Sequence, residues 1–118
     1  MIAGSPVARI GAWLSVLALA VLSWTPGEYM VRGDVLTGHE EHFLAYLIAG
    51  AIIAAATRGS TPLRTAILLW LYAGVLELGQ NFVPGRHPAI EDFAASALGA
   101  LVGIVLTTML RARGSRSP

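Results

Sequence analysis

The chain has no cysteine, no lysine and few charged residues of any kind. Without cysteine it has no disulfide, no thiolate nucleophile and no thiolate metal site. Charged residues make up 13% of its 118 residues, whereas soluble domains average about 25%. All eight cationic residues are arginines, and the net charge of +1 provides no general basic field. We therefore predict no nucleic-acid partner.

The chain is instead rich in long apolar segments. Hydrophobic residues make up 55% of it, more than a soluble protein of this size could bury, because small folds have little interior. A helix needs about 20 mostly apolar residues to cross a bilayer. Four segments come close, and we predict helices at about residues 7–24, 42–57, 63–78 and 90–110.

These segments predict an all-α membrane protein, a compact four-transmembrane-helix bundle in which residues 1–118 form a single domain. Strands are not favoured, because apolar and polar residues do not alternate with a period of two. The second and third segments are short, so they span only if flanking polar side chains lie at the headgroups. We interpret the first segment as an uncleaved helix, with a cleaved signal peptide as the alternative.

The arginines predict the orientation of the bundle. One side receives six of them, which are Arg9, Arg58, Arg64, Arg111, Arg113 and Arg116. The other side receives only Arg32 and Arg86. Loops rich in arginine stay in the cytoplasm, so we predict that both termini are cytoplasmic. All seven acidic residues fall on the opposite side, an asymmetry that the topology rule does not explain.

Polar side chains gather at the predicted outer ends of three helices. The set comprises His42, Tyr46, Glu77, Gln80, Arg86, Asp92 and Ser96. Glu77 and Gln80 lie three residues apart and therefore share a helix face, as do Asp92 and Ser96 at a spacing of four. Ionisable groups at the rim of a bundle usually face inward and pair. We predict one polar cluster on the extracytoplasmic side.

Arg86 is the residue of this cluster best suited to bind an anion. Its guanidinium can hold a carboxylate or a phosphate with two parallel hydrogen bonds. It is also the candidate partner of Glu77, which ends a strongly apolar run. Asp92 has a simpler interpretation, because negative charge in the first turn of a helix favours the helix dipole.

The two histidines at the start of the second segment suggest a metal site, which we do not favour. His39 and His42 have helical spacing, and Glu77 or Asp92 could complete a set of ligands. We place His39 in the preceding loop, however, and interpret His42 as a hydrogen-bonded histidine at the interface. We predict no metal and no cofactor.

Small residues in the fourth segment predict close helix packing. Gly99 and Gly103 are four residues apart, a spacing that lets another helix approach closely. The favoured interpretation is tight packing inside the bundle. A homodimer formed through Gly99 and Gly103 is the alternative.

Three sequence blocks resemble the signatures of the VanZ-like family, in the same order. The blocks are Glu41-His42-Phe43-Leu44-Ala45-Tyr46, Glu77-x-x-Gln80-x-x-x-Pro84-Gly85-Arg86 and Asp92-x-x-x-Ser96-x-x-Gly99-x-x-x-Gly103. The resemblance covers residues from about 38 to 106. Gly38 and His39 stand where many members have Asp-Lys, and Ser96 stands where Asn is frequent.

The resemblance implies a small multi-pass protein of the bacterial cytoplasmic (inner) membrane, in a family named for a member linked to teicoplanin resistance. It implies a role in glycopeptide susceptibility or in the handling of envelope precursors. The partners it implies are the lipid bilayer and a lipid-linked cell-wall precursor or glycopeptide.

Three other functions remain open. The chain could be a membrane enzyme in which His42 acts as general base on a lipid-linked or phosphorylated substrate. It could be a structural protein whose polar cluster is an internal clasp. A transporter is disfavoured, because the middles of the four segments carry no charge. A clasp should be fully paired internally, whereas a binding site should leave an open polar cavity.

Overall fold

A computed structural model describes residues 5–27, 38–57 and 61–114. The elements are α1 (Pro6–Trp24), α2 (Gly38–Ala56), α3 (Pro62–Gly79), a one-turn 3₁₀ helix (Gln80–Phe82) and α4 (Ile90–Gly114). This described part contains no β-strand. The prediction of an all-α fold is confirmed.

Two helices begin at a hydroxyl residue followed by proline. The Ser5 side chain accepts a hydrogen bond from the Ala8 N–H at 3.2 Å, and Pro6 is the first residue of α1. Thr61 does the same for α3, accepting from the Arg64 N–H at 3.3 Å. Such caps satisfy amides that have no partner within the helix, and proline at the first position lacks the amide altogether. Both helices begin within one residue of their predicted starts.

The predicted start of α2, near residue 42, is wrong by one turn. The helix begins at Gly38, and its first turn contains Glu40 and Glu41. Negative charge stabilises the amino-terminal end of a helix, so these polar residues begin α2 rather than precede it. His39 consequently lies in α2 and not in the loop.

The predicted end of α4, near residue 110, is also too early. The helix continues to Gly114, with Arg111 and Arg113 in its last turn. Positive charge favours the carboxyl-terminal end of a helix, where the carbonyl groups lack partners. At about 1.5 Å per residue α4 is about 37 Å long.

The four helices alternate in direction. At one end the first turn of α2 faces the last turn of α3, where His42 Nε2 lies 3.9 Å from Glu77 Oε2. At the other end α4 meets the last turns of α2, where Arg111 donates a hydrogen bond to the Ala54 carbonyl at 2.8 Å. We refer to these as the Glu77 end and the Arg111 end. The carboxyl termini of α1 and α3 and the amino termini of α2 and α4 lie at the Glu77 end.

The closest helix contact joins α2 and α4. Gly99 and Gly103 lie against the backbone of α2, so that a Cβ atom on either would overlap the carbonyl oxygen of Phe43 or of Leu47. Both glycines are buried. In this structure the two glycines thus lie at the contact between α2 and α4. α2 covers the face of α4 that carries these two glycines.

Within the described residues, three helical stretches are long and apolar enough to cross a membrane: Pro6–Trp24, Pro62–Phe82 and Ile90–Gly114. Their outer surfaces carry large exposed apolar side chains, among them Val7, Trp13, Leu71, Val75, Leu98 and Leu106. Lipid is the solvent that suits such surfaces. These observations support placing the chain among the membrane proteins.

The described arginines divide between the two ends of the bundle. Those at the Arg111 end are Arg9, Arg64, Arg111 and Arg113, and the one at the Glu77 end is Arg86. The other residues used to predict orientation lie outside the described residues, namely Arg32, Arg58, Arg116, Glu28 and Asp34.

Candidate functional site

A tight turn between α3 and α4 positions Arg86. The Arg86 N–H donates to the Val83 carbonyl at 3.2 Å, and Gly85 between them has a φ of 75°. Proline at the second position and a left-handed glycine at the third are typical of a type II turn. This turn directs the chain back over the end of α1, and the Gly27 N–H joins it by donating to the Pro84 carbonyl at 2.9 Å.

The Arg86 side chain caps the end of α1. Its Nε donates to the Thr25 carbonyl at 2.9 Å, and its Nη2 donates to the Leu22 carbonyl. The last carbonyls of a helix have no partner within the helix, and a positive charge is favourable beside them. Two guanidinium nitrogens of Arg86 therefore donate to backbone carbonyls. This arrangement does not support the prediction that Arg86 binds an anion through two parallel hydrogen bonds.

Gln80 and Trp24 extend the same contact between the ends of α1 and α3. Gln80 Nε2 donates to the Ser23 carbonyl at 2.9 Å and to the Ser23 hydroxyl at 3.1 Å. Trp24 Nε1 donates to the Leu76 carbonyl at 3.0 Å. Gln80 is thus a buried structural residue. The sequence interpretation missed Ser23 and Trp24, because their partners lie more than 50 residues away along the chain.

Glu77 is buried at the end of α3 and is held by the start of α4. Its Oε1 accepts a hydrogen bond from the Ala89 N–H at 2.9 Å. A carboxylate is favourable there, because amides at the start of a helix lack partners and carry partial positive charge. The second oxygen, Oε2, faces His42. The predicted ion pair between Glu77 and Arg86 stays a prediction, although both side chains border the same cavity.

His42 is oriented by the backbone of its own helix. Its Nδ1 lies 2.7 Å from the Gly38 carbonyl oxygen. A carbonyl oxygen can only accept a hydrogen bond, so Nδ1 carries the proton and donates it. In the neutral imidazole Nε2 is therefore an acceptor, and it faces Glu77 Oε2 at 3.9 Å.

His39 and Asp92 form a separate pair that joins the first turns of α2 and α4. The His39 Nδ1 and the Asp92 Oδ1 are 2.6 Å apart, and the His39 side chain is 58% exposed. Asp92 therefore contacts His39 and not His42. The two side chains bind each other across α2 and α4, as expected of a structural clasp.

A cavity of about 260 Å³ opens at the Glu77 end between α1, α2 and α3. It is lined by Leu19, Leu22, Ser23, Glu41, His42, Ala45, Tyr46, Ala73, Leu76, Glu77 and Arg86. Of the predicted cluster it contains four members. Gln80, Asp92 and Ser96 are not part of its lining, and Ser96 is buried in the bundle. Glu41 also lines the cavity, although the predicted cluster does not include it. Its place in the first turn of α2 has a simpler interpretation, which is exposure to solvent.

Tyr46 places a hydroxyl in this cavity one turn below His42. The residue is 5% exposed, yet within residues 5–27, 38–57 and 61–114 its hydroxyl makes no hydrogen bond. No enclosed side-chain polar atom lacks a partner in those ranges. The hydroxyl therefore borders open space, and the open space beside Tyr46 is the cavity.

A second cavity, of about 90 Å³, lies at the Arg111 end between α2, α3 and α4. Its polar lining consists of Thr57, Thr65, Thr108 and Arg111. The three hydroxyls donate to carbonyls one turn earlier on the chain. Arg111 binds the Ala54 carbonyl. These polar groups are used to close the bundle.

No group of three or more His, Asp or Glu side chains in the described ranges is arranged to hold a metal ion. His39 pairs with Asp92, whereas His42 binds the Gly38 carbonyl and faces Glu77 Oε2 at 3.9 Å. The helical spacing that suggested a metal site instead places His39 beside α4 and His42 beside α3.

Comparison with family models, with curated proteins and with solved structures finds no match. The geometry of the cavity therefore carries the functional argument.

Proposed function

We propose that the chain is a small VanZ-like protein of the bacterial cytoplasmic membrane, and that its cavity binds an amphipathic envelope molecule. The ligand classes are a lipid-linked cell-wall precursor or a glycopeptide such as teicoplanin. The observation that carries this proposal is the cavity beside Glu77, which is lined both by polar groups and by leucine and alanine side chains. A purely structural clasp would leave no such space.

The proposal includes four spans with both termini in the cytoplasm. α2 has 19 residues, but four polar residues among its first five, His39, Glu40, Glu41 and His42, lower its apolar content. Its two ends nevertheless lie at opposite ends of the bundle, where His42 meets α3 and Ala54 meets Arg111. If α1, α3 and α4 cross the bilayer, an antiparallel α2 crosses it as well. The described arginines are concentrated at the Arg111 end, which favours that end as the cytoplasmic one.

The cavity then opens at the outer face of the membrane. An amphipathic molecule would place its apolar part beside Leu19 and Leu76 and its polar part beside His42 and Glu77. Burial of apolar ligand surface provides affinity, and a few placed polar groups provide orientation.

The experiment compares drug susceptibility in a bacterium that expresses the protein with the same strain carrying an empty vector. Filling the cavity by Ala45→Phe should abolish any shift in teicoplanin susceptibility. Ala94→Phe is the matched control, because Ala94 is exposed on α4 and does not line the cavity. Binding of teicoplanin to the purified protein in detergent micelles should follow the same order. If Ala45→Phe leaves both binding and susceptibility unchanged, the proposal is wrong.

A membrane enzyme is the second candidate, and the orientation of His42 favours it. An imidazole with Nδ1 anchored on the Gly38 carbonyl presents Nε2 to the cavity as a potential base. The substrate would be a phosphorylated lipid. Phosphate release from a polyprenyl diphosphate by the reconstituted protein, lost in His42→Asn and kept in His87→Asn, would favour the enzyme. Phosphate release that is unchanged in His42→Asn would exclude this mechanism.

A further inference from the structure

We infer that the polar end of the ligand in this cavity is a protonated amine, so that the site takes a cationic amphiphile. This inference rests on the proposed function of the cavity and specifies the chemistry of its ligand. It rests on a comparison of two sets of polar atoms in the lining. Some are already hydrogen-bonded within the protein, and the others remain for a ligand.

Arg86, the positively charged residue of the lining, binds the protein itself. Arg86 Nε and Nη2 donate to carbonyls at the end of α1, where the helix dipole supplies partial negative charge. The Ser23 hydroxyl accepts from Gln80. Arg86, the side chain of the lining best suited to hold an anion, is therefore engaged in joining the turn before α4 to the end of α1.

The atoms that remain are mainly acceptors. Glu77 has Oε1 on the Ala89 amide, which leaves Oε2 facing the cavity. His42 has Nδ1 on the Gly38 carbonyl, which leaves Nε2. In the part of the chain that the structure describes, the Glu41 carboxylate makes neither a hydrogen bond nor an ion pair.

No direct hydrogen bond joins the facing atoms of Glu77 and His42, because Oε2 and Nε2 are 3.9 Å apart. When the imidazole is neutral, both of these atoms are acceptors. A group that donates several hydrogen bonds and carries positive charge can satisfy both atoms. The Tyr46 hydroxyl, one turn deeper, provides a further acceptor.

An ammonium group meets these requirements better than a metal ion or an anion. It has three donors and one positive charge. No set of three or more metal-ligating side chains is present in the described residues. An anion would face two carboxylates, Glu41 and Glu77, in a partly enclosed space, where repulsion between like charges is strong.

The rest of the lining selects an apolar body for the same ligand. Leucine and alanine side chains from three helices form it, which are Leu19, Leu22, Ala45, Ala73 and Leu76. Each CH₂ group of an alkyl chain that is buried there adds to the affinity. The ligand class is thus an amine attached to an alkyl or other apolar group.

The test measures binding to the purified full chain in uncharged maltoside micelles. The probes are n-decylamine, n-decanol and n-decyl sulfate, which share chain length and differ in the charge and donors of the head. Calorimetric titration against empty micelles provides the affinity. The amide resonance of Ala89, which donates to Glu77, reports whether binding occurs at this site. We expect saturable binding of decylamine that shifts the Ala89 resonance.

The variants Glu77→Gln and Glu41→Gln should each weaken decylamine binding by about tenfold or more, because each removes a carboxylate that faces the ligand. Glu91→Gln is the matched control, since it removes the same charge from an exposed position outside the cavity. Tyr46→Phe provides a further test if Glu77→Gln fails to fold, and should also weaken binding.

The outcomes separate this inference from the proposed function. If decyl sulfate or decanol binds as tightly as decylamine and shifts the Ala89 resonance, the amine inference is wrong and the amphiphile cavity stands. The same holds if Glu91→Gln weakens decylamine binding as much as Glu77→Gln does. If no probe shifts the Ala89 resonance and teicoplanin does not bind either, both proposals are wrong.

Discussion

Arg86 Nε donates a hydrogen bond to the Thr25 carbonyl at 2.9 Å, and this contact is one of those that join the α3–α4 connection to the end of α1. The two residues are 61 positions apart in the sequence. The contact makes Arg86 a structural residue of the rim, and it predicts a stability effect that a ligand-binding arginine alone would not produce.

Replacing Arg86 by Gln should lower the free energy of unfolding by about 1–3 kcal/mol, because charged hydrogen bonds to the α1 carbonyls are lost. Arg86→Lys should recover only part of that loss, since an ammonium lacks the planar fork. Arg113→Gln, an exposed change in the last turn of α4, is the control. Unfolding in mixed micelles with increasing denaturing detergent measures the difference. Equal stability of Arg86→Gln and the wild type would contradict the capping role.

Gly103→Ala should destabilise the bundle by about 1–3 kcal/mol, the usual effect of overpacking. The added Cβ atom would overlap the Leu47 carbonyl oxygen, and a backbone group cannot rotate away as a side chain can. Gly74→Ala is the matched control, because its Cβ atom would lie 3.5 Å from the Phe93 side chain, an ordinary contact. Thermal unfolding in micelles distinguishes them. Two variants of equal stability would show that the α2–α4 contact is looser than described.

The absence of cysteine makes single-cysteine labelling a clean test of topology. Cysteines introduced as His39→Cys and His87→Cys should react with a membrane-impermeant maleimide in intact cells. Cysteines introduced as Thr61→Cys and Gly114→Cys should react only after the cells are permeabilised. Labelling of Thr61→Cys together with His39→Cys from one side would mean that α2 does not cross the membrane.

The pair of His39 and Asp92 should contribute little to stability. Its histidine is 58% exposed, and exposed ion pairs typically contribute less than about 1 kcal/mol. A double-mutant cycle with His39→Ala and Asp92→Ala should therefore give a small coupling free energy that falls as salt is added. A coupling of several kcal/mol would show that this clasp, rather than the glycine contact, holds α2 to α4.

The helices could be predicted from the sequence because their main determinants are local. Long apolar runs predict four helices, and Ser5-Pro6 and Thr61-Pro62 mark two of their starts. The start of α2 was missed because polar residues in a first helical turn look like a loop when only hydrophobicity is considered. Their preference for the helix terminus becomes decisive only once the helix is formed.

The candidate site could be predicted only in part. The spacing identified His42, Tyr46 and Glu77, which do border one cavity. It did not identify the partners of Arg86, because the carbonyls at the end of α1 have no sequence signature. It also grouped Gln80 and Asp92 with the site, although Gln80 binds Ser23 and Asp92 binds His39. Which polar residues join the cavity and which close the bundle depends on contacts between helices.

The glycine contact between α2 and α4 has a mechanical consequence for ligand entry. Where Gly99 and Gly103 lie directly on the α2 backbone, no intervening side chains can change rotamer. We therefore expect α2 and α4 to move together as one rigid unit, so that α2 forms a fixed wall of the cavity. We therefore expect any widening of the cavity to come from displacement of α1 and α3 relative to this pair of helices.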